Sequence, residues 1–442
     1  MEINTRSFVV IFLILLFDLL AFTIILPLFP SIIDHYNTIN KDGESSDAWL
    51  EYIHKLLEWF RKTLMMPDER RYNNVLIGGI LGSLFSFLQF LSSPIVGACS
   101  DIFGRKKVLL LTMFGTTLSY IIWWKAVTFK LFILSRIIGG LAKGSVLLCT
   151  TMMSDITTKE NRGKGMVFVG LSFSLAFISG PLIGAYFASQ HRDKLAESFE
   201  KPAIVSIGFQ LVSIFITVFF LKDTLLSKLS ISDGLKKVIK LVNPFSLFNF
   251  SSSKECGSFL RQLAVVNFLY LLFFSGLEFT LTFVTHERFN FTSMQQGKLL
   301  FFSGVVMVIV QGGYVRRIKL NKEKNAIVQG IAIIIPSMLL ISMTFSVTVM
   351  YFALFLYSFA AGTVVPLLTT LFTQYSSDND NGENIGKFRS IGALSRAIAP
   401  FLTCFVYWRF GSTICYIIGA AMFFFPLYLI FKVEVCKVDK DQ

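Results

Sequence analysis

Five ionisable side chains fall where the surrounding sequence is apolar enough for a membrane interior: Asp18, Arg136, Lys143, Glu278 and Arg396. A cation at the centre of a membrane helix costs on the order of 2.5–3.5 kcal/mol on insertion scales, so each implies a partner, a polar cavity or a mobile counter-ion. In the stretch "LSRIIGGLAKGSVLL" (134–148), Arg136 and Lys143 are seven residues apart, about 700° of helical turn, and so share one stripe. Gly139, Gly140 and Gly144 lie around them and let neighbouring helices approach closely. Three bases against two acids leaves a formal excess of one positive charge, whereas purely structural pairing would balance. The excess points to an anionic substrate held by Arg136, Lys143 and Arg396. Arginine grips a carboxylate or sulfonate bidentately, and lysine acts as a point charge. Gln89, Asn267 and Gln311 are polar candidates for the cavity wall. Asp18 and Glu278 are the only acids placed to couple protons, and no His offers a substitute; the competing reading is a static ion pair such as Asp18–Lys143.

Nothing points to catalysis. The six cysteines show no CxxC or Cys/His spacing, and all four His fall in connections between spans. No metal site, nucleophile–base pair or cofactor is expected, protons aside, so the chain is not expected to be an enzyme.

The elements that must position these charges are long apolar runs. The chain has 442 residues, 54% hydrophobic and 16% charged, where a soluble domain would carry about 25% charged residues. Twelve runs are long enough to cross a bilayer: about 7–33, 73–98, 108–127, 130–154, 165–188, 202–221, 260–285, 295–315, 325–344, 348–374, 388–409 and 411–431. The first is too long, and lacks the small-residue cleavage site, for a signal peptide. Basic residues crowd into alternate connections, which places those loops and both termini in the cytoplasm. The net charge of +13 is therefore a topology signal and implies no nucleic-acid partner. The expected protein is an integral multi-pass one, of the plasma membrane or an endomembrane, acting as a monomer.

The polar, Lys/Ser-rich segment 222–259 reads as a cytoplasmic linker between an amino-terminal half (1–221) and a carboxy-terminal half (260–442). The halves look like weak repeats: "LAFISGPLIGAYF" answers "LSRAIAPFLTCFV", with Pro181 matching Pro400. Within the outer connection, residues 48–66 read as an amphipathic helix on the membrane face or a lid. Asn290-Phe291-Thr292 is a glycosylation sequon close to a span end.

The stretch "GACSDIFGRKK" after the second run combines a glycine-permitted turn, one acid and a basic cluster. It resembles the signature loop of the major facilitator superfamily, G-x-x-x-D-x-x-G-R-K, with Gly97, Asp101, Gly104, Arg105 and Lys106 on its positions. "FDLLAFTIILPLFP" resembles first spans of drug/proton antiporters, and "SRIIGGLAKG" puts Arg136 and Gly140 on the fourth-span arginine motif. "AFISGPLIGA" resembles the fifth-span antiporter motif through Gly180, Pro181 and Gly184, with Ala176 and Ala185 replacing two family glycines. Within the superfamily the chain is most similar to the animal tetracycline transporter-like subgroup, over essentially its whole length. The resemblance implies an all-α membrane protein of twelve transmembrane helices in two pseudo-symmetric six-helix bundles, the major facilitator fold. It implies an antiporter of amphipathic organic anions, with a latch in which Asp101 and Arg105 pair with each other and with Asp155 at the foot of the fourth span. The alternatives are a carrier of neutral or cationic drugs and a non-transporting receptor or scaffold on the same fold.

Overall fold

The computed structural model describes residues 5–28, 32, 35–36, 52, 55, 58–59, 62, 70–158, 161–189, 195–225, 254–291, 293–319, 322–376 and 381–433. Most of the outer segment 48–66 and most of the segment 222–259 lie outside the described residues, as does Thr292 of the sequon. The described residues form helices and no strands.

Twelve helical segments are long and apolar enough to cross a membrane, and they are numbered here as spans 1 to 12: Arg6–Leu28, Gly79–Phe103, Arg105–Trp124, Phe129–Asp155, Gly165–Phe187, Glu200–Phe220, Gly257–Phe289, Gln295–Arg317, Glu323–Met343, Val347–Tyr375, Asn384–Tyr407 and Arg409–Lys432. They form two pseudo-symmetric six-helix bundles. Buried apolar side chains of the first half group into two clusters, around Ile11, Leu15 and Met152 and around Ile24, Trp123 and Phe132. Those of the second half form one cluster, joined from the first half by Phe90 and Val167. Large exposed side chains such as Leu111, Phe219, Phe352 and Phe431 cover the outside, where hydrocarbon tails are as apolar as the side chains they meet.

Three local departures from the expected helices bear on the site. First, the signature stretch is mostly helix. Span 2 continues through Asp101 to Phe103, and the turn is confined to Gly104, whose φ of 99° suits a residue without Cβ. Second, span 4 is two helices, Phe129–Ala142 and Ser145–Asp155, broken at Lys143 and Gly144. The break frees the Lys143 carbonyl, and Gln89 of span 2 donates to it at 3.3 Å. That is how unwound backbone is tolerated at membrane depth. Third, span 8 passes through a π-helical stretch, Val310–Tyr314, which contains Gln311.

Close approach of spans 1 and 5 depends on the antiporter-motif glycines. A Cβ on Gly180 would lie 1.9 Å from Thr23 Oγ1, and one on Gly184 would lie 2.2 Å from the Ile24 carbonyl. The Thr23 hydroxyl also lies 3.0 Å from the Ala176 carbonyl of span 5. Pro181 is carried inside the helix Arg162–Ser189.

Candidate functional site

Lys143 and Asp18 form a buried ion pair. Lys143 Nζ lies 2.5 Å from Asp18 Oδ2, with the two side chains 4% and 0% exposed. Asp18 also accepts from Ser145 Oγ at 2.5 Å and from Gln210 Nε2 at 3.2 Å. The ammonium stands over the Phe22 ring, 4.9 Å from its centroid. The carboxylate is thus held by a cation and two neutral donors, which is the satisfaction a buried charge requires. The break in span 4 brings this about, because Lys143 and Ser145 approach Asp18 from either side of Gly144.

Arg136, two turns before the break on the same helix, has no such partner among the described residues. It is 2% exposed. Its Nε donates to Ser135 Oγ at 3.2 Å, while Nη2 is buried without a hydrogen bond. Its guanidinium carbon lies 5.6 Å from the Trp123 ring and 5.4 Å from the Phe132 ring. Despite the helix break, Arg136 and Lys143 line one small cavity with Gly139 between them, so the shared stripe read from their spacing is present.

In the other bundle, Glu278 lies in the middle of span 7, its side chain exposed at the bundle surface yet densely surrounded by protein. It interacts electrostatically with Arg396 of span 11 and with Tyr357 of span 10, so it faces the protein interior and not lipid. Beside it, Tyr270 OH is buried without a hydrogen bond among the described residues, and Tyr270, Phe274 and Tyr357 stack in a ladder with centroid spacings of 5.4 and 4.9 Å.

Arg389 is the residue that sequence reasoning missed. It lies on span 11, half-buried and in electrostatic contact with Arg396. Its Nη2 donates to Thr150 Oγ1 of span 4 at 3.1 Å, across the junction of the bundles, and its Nε has no partner. The signal was available: Arg389 and Arg396 are seven apart, the same spacing as Arg136 and Lys143. The expected span edge at 388 hid it. Gln89 and Gln311 are both hydrogen-bonded within the protein. Gln89 serves the freed Lys143 carbonyl, and Gln311 accepts from Ser174 Oγ of span 5 at 3.2 Å, packed against Gly170.

The signature residues converge at the end of the bundles that carries Gly104. Arg105, 1% exposed, bonds to Asp101, to Asp155 Oδ2 at 3.0 Å and to Ser100 Oγ at 2.6 Å. Its backbone N–H donates to Asp223 at 3.0 Å, and Thr224 donates to Asp155 at 3.3 Å. Lys106 Nζ donates to the Val218 and Leu221 carbonyls at the end of span 6, at 2.9 and 2.8 Å. Gly97 meets the second bundle: a Cβ on Gly386 of span 11 would lie 3.6 Å from its Cα and 3.2 Å from the Ser93 carbonyl. Ser390 donates to the Phe90 carbonyl, and Arg162 to that of Thr373. At this end, therefore, the bundles are joined by polar contacts and close backbone packing.

Two bundles that meet at one end around a polar interior rich in guanidinium groups define a membrane transporter, and comparison with known proteins agrees. The chain belongs to the Major Facilitator Superfamily, whose pattern matches residues 11–400. It is 40% identical over 440 residues to the human major facilitator superfamily domain-containing protein 10, covering 97% of this chain and 93% of that one. The mouse counterpart is 38% identical over 440 residues, with the same coverage. Among solved structures, the crystal structure of the human organic anion transporter MFSD10 (TETRAN) matches with a TM-score of 0.87 at 38% identity, covering 97% of this chain and 100% of that one.

Proposed function

We propose that this chain is a secondary active transporter that moves small amphipathic organic anions by alternating access between its two bundles, in exchange for protons. One observation carries the choice of an anion. Six ionisable side chains lie at least five residues inside the ends of the described spans: Asp18, Arg136, Lys143, Glu278, Arg389 and Arg396. The Asp18–Lys143 pair closes on itself. Three guanidinium groups then face a single carboxylate, an excess of two positive charges in a low-dielectric interior. Burying cations without counter-ions is costly, so a mobile anion is the natural occupant. The solved human relative is described as an organic anion transporter, which supports the same substrate class.

In this reading Arg136 and Arg396 are the anion-binding residues, and Arg389 stands between Arg396 and the latched end. The stacked Tyr270, Phe274 and Tyr357 give the carboxy-terminal bundle an aromatic wall next to a charge, the combination an amphipathic solute needs. Glu278 is the acid that solvent reaches, and it carries the exchanged proton, while Asp18 stays paired with Lys143. The Arg105 cluster with Asp101 and Asp155 is the cytoplasmic latch, both termini are cytoplasmic, and the present conformation is the one closed on that side. The accessible Glu278 would also receive a cation, but the guanidinium excess disfavours one.

The test is competition in proteoliposomes. Uptake of a labelled aromatic carboxylate or sulfonate should be inhibited by other organic anions and not by organic cations, and Arg396→Gln should raise the half-saturating concentration at least tenfold. Inhibition by cations alone would transfer the chain to the cationic-drug reading. No flux of any solute would favour a receptor or scaffold.

A further inference from the structure

The cavity beside Arg136 differs from a substrate cleft in three ways. It lies within one bundle: Phe22 of span 1, Phe85 of span 2, Thr116 and Tyr120 of span 3, and Arg136 and Lys143 of span 4 line it, with no residue of the second bundle. It has room for about one water-sized particle. And it carries a net positive charge, because Lys143 is neutralised by Asp18 while Arg136 forms no ion pair among the described residues.

We propose that this cavity holds a single small inorganic anion of halide size, bound by Arg136 and Tyr120 and separate from the organic substrate. The proposal rests on the transporter reading above but reassigns Arg136 from the organic anion to an inorganic one, leaving the organic substrate to Arg396. Arg136 supplies the unpaired Nη2 of a 2% exposed guanidinium. Tyr120, 4% exposed, interacts electrostatically with Arg136 and offers a phenolic donor. The other two hydroxyls nearby are committed, Ser119 to the Ser135 carbonyl at 2.6 Å and Thr116 to the Met113 carbonyl at 2.9 Å. Arg136 and Tyr120 both line this one-particle space, which suits a monatomic ion. A carboxylate attached to a bulky body neither fits the space nor finds donors for its second oxygen. A water would satisfy the hydrogen bonds but leave the charge uncompensated, and buried charges are kept in pairs. Of the two positive charges in excess across the interior, one is then met by the small anion and the other by the organic substrate.

The experiment uses the full-length purified protein in detergent, with sodium chloride, sodium bromide or sodium gluconate at equal ionic strength and pH. Chloride and bromide should raise the melting midpoint in a saturable way, and gluconate should not. Arg136→Gln should abolish the saturable rise, and Tyr120→Phe should weaken it roughly three- to tenfold in half-saturating concentration. Equal responses to halide and gluconate, or a halide response that survives Arg136→Gln, would overturn the proposal. Should Arg136→Gln fail to fold, crystals of the unaltered protein grown in bromide decide. An anomalous peak in contact with the Arg136 guanidinium supports the site, and its absence there overturns it. Displacement of that bromide by a transported organic anion would make the cavity the substrate's own head-group site, ending this proposal while leaving the transporter reading intact. Halide binding in a protein that moves no solute would do the reverse.

Discussion

Lys143→Met tests the interior charge arrangement where its geometry is tightest. The substitution keeps an unbranched side chain of similar length and removes only the ammonium that lies 2.5 Å from Asp18 Oδ2. Asp18, 0% exposed, would retain Ser145 and Gln210 as donors. Removing one partner of a buried pair costs about 3–5 kcal/mol. The two remaining hydrogen bonds to the carboxylate place the expected loss near the lower limit, about 3 kcal/mol. Asp18→Asn should cost about as much, since Lys143 would keep only the Phe22 ring and an amide oxygen. The double variant buries neither charge, so its cost should fall short of the summed single costs by about 2 kcal/mol or more. Equilibrium unfolding in mixed micelles, run on all four proteins, gives the coupling directly. A coupling below about 0.5 kcal/mol would mean that the two groups do not share a pair in the folded protein.

Arg105→Ala leaves Asp101 and Asp155 facing each other without their cation; thiol labelling of a Ser93→Cys reporter, 3% exposed beneath Gly386, should then speed up several-fold, and an unchanged rate would refute the latch. Thr150→Val removes the acceptor of the Arg389 contact between the bundles, and a lost hydrogen bond to a charged group, worth about 1.5–3 kcal/mol, should open the same end at least tenfold by the same reporter. No change in labelling would make that contact incidental. Gly184→Ala places a methyl 2.2 Å from the Ile24 carbonyl, which should cost about 1–3 kcal/mol of stability by overpacking. A melting point equal to that of the unaltered protein would show that spans 1 and 5 do not pack so closely.

Much of the architecture was legible because its signals are local. Runs of about twenty apolar residues mark spans whatever they pack against, and the twelve expected segments coincide with the observed ones to within a few residues at most ends. The meeting of Asp101, Arg105 and Asp155 was legible, since a family pattern records it. Less visible was anything set by the backbone in three dimensions. The sequence "LAKGS" reads as continuous helix, and only the fold shows that it breaks at Lys143 to wrap around Asp18. Nor does spacing separate the two cations of that stripe, one paired with an acid from span 1 and the other left over. Gln311, a candidate for the cavity wall on polarity alone, is bound to Ser174 across the bundle junction. The cross-bundle role of Arg389 required knowing that span 4 lies opposite it.

The central claim, exchange of an organic anion for protons through Glu278, is tested most directly by uptake into proteoliposomes under an imposed pH gradient. With one proton exchanged per anion, two charges cross per cycle, so the membrane potential is clamped at zero with a potassium ionophore; a gradient of one unit then supplies about 1.4 kcal/mol, which is about tenfold accumulation. The account predicts that accumulation in the unaltered protein, and in Glu278→Gln an equilibration that the gradient no longer drives. Gradient-driven accumulation that persists in Glu278→Gln, or uptake by the unaltered protein that ignores the gradient altogether, would contradict it.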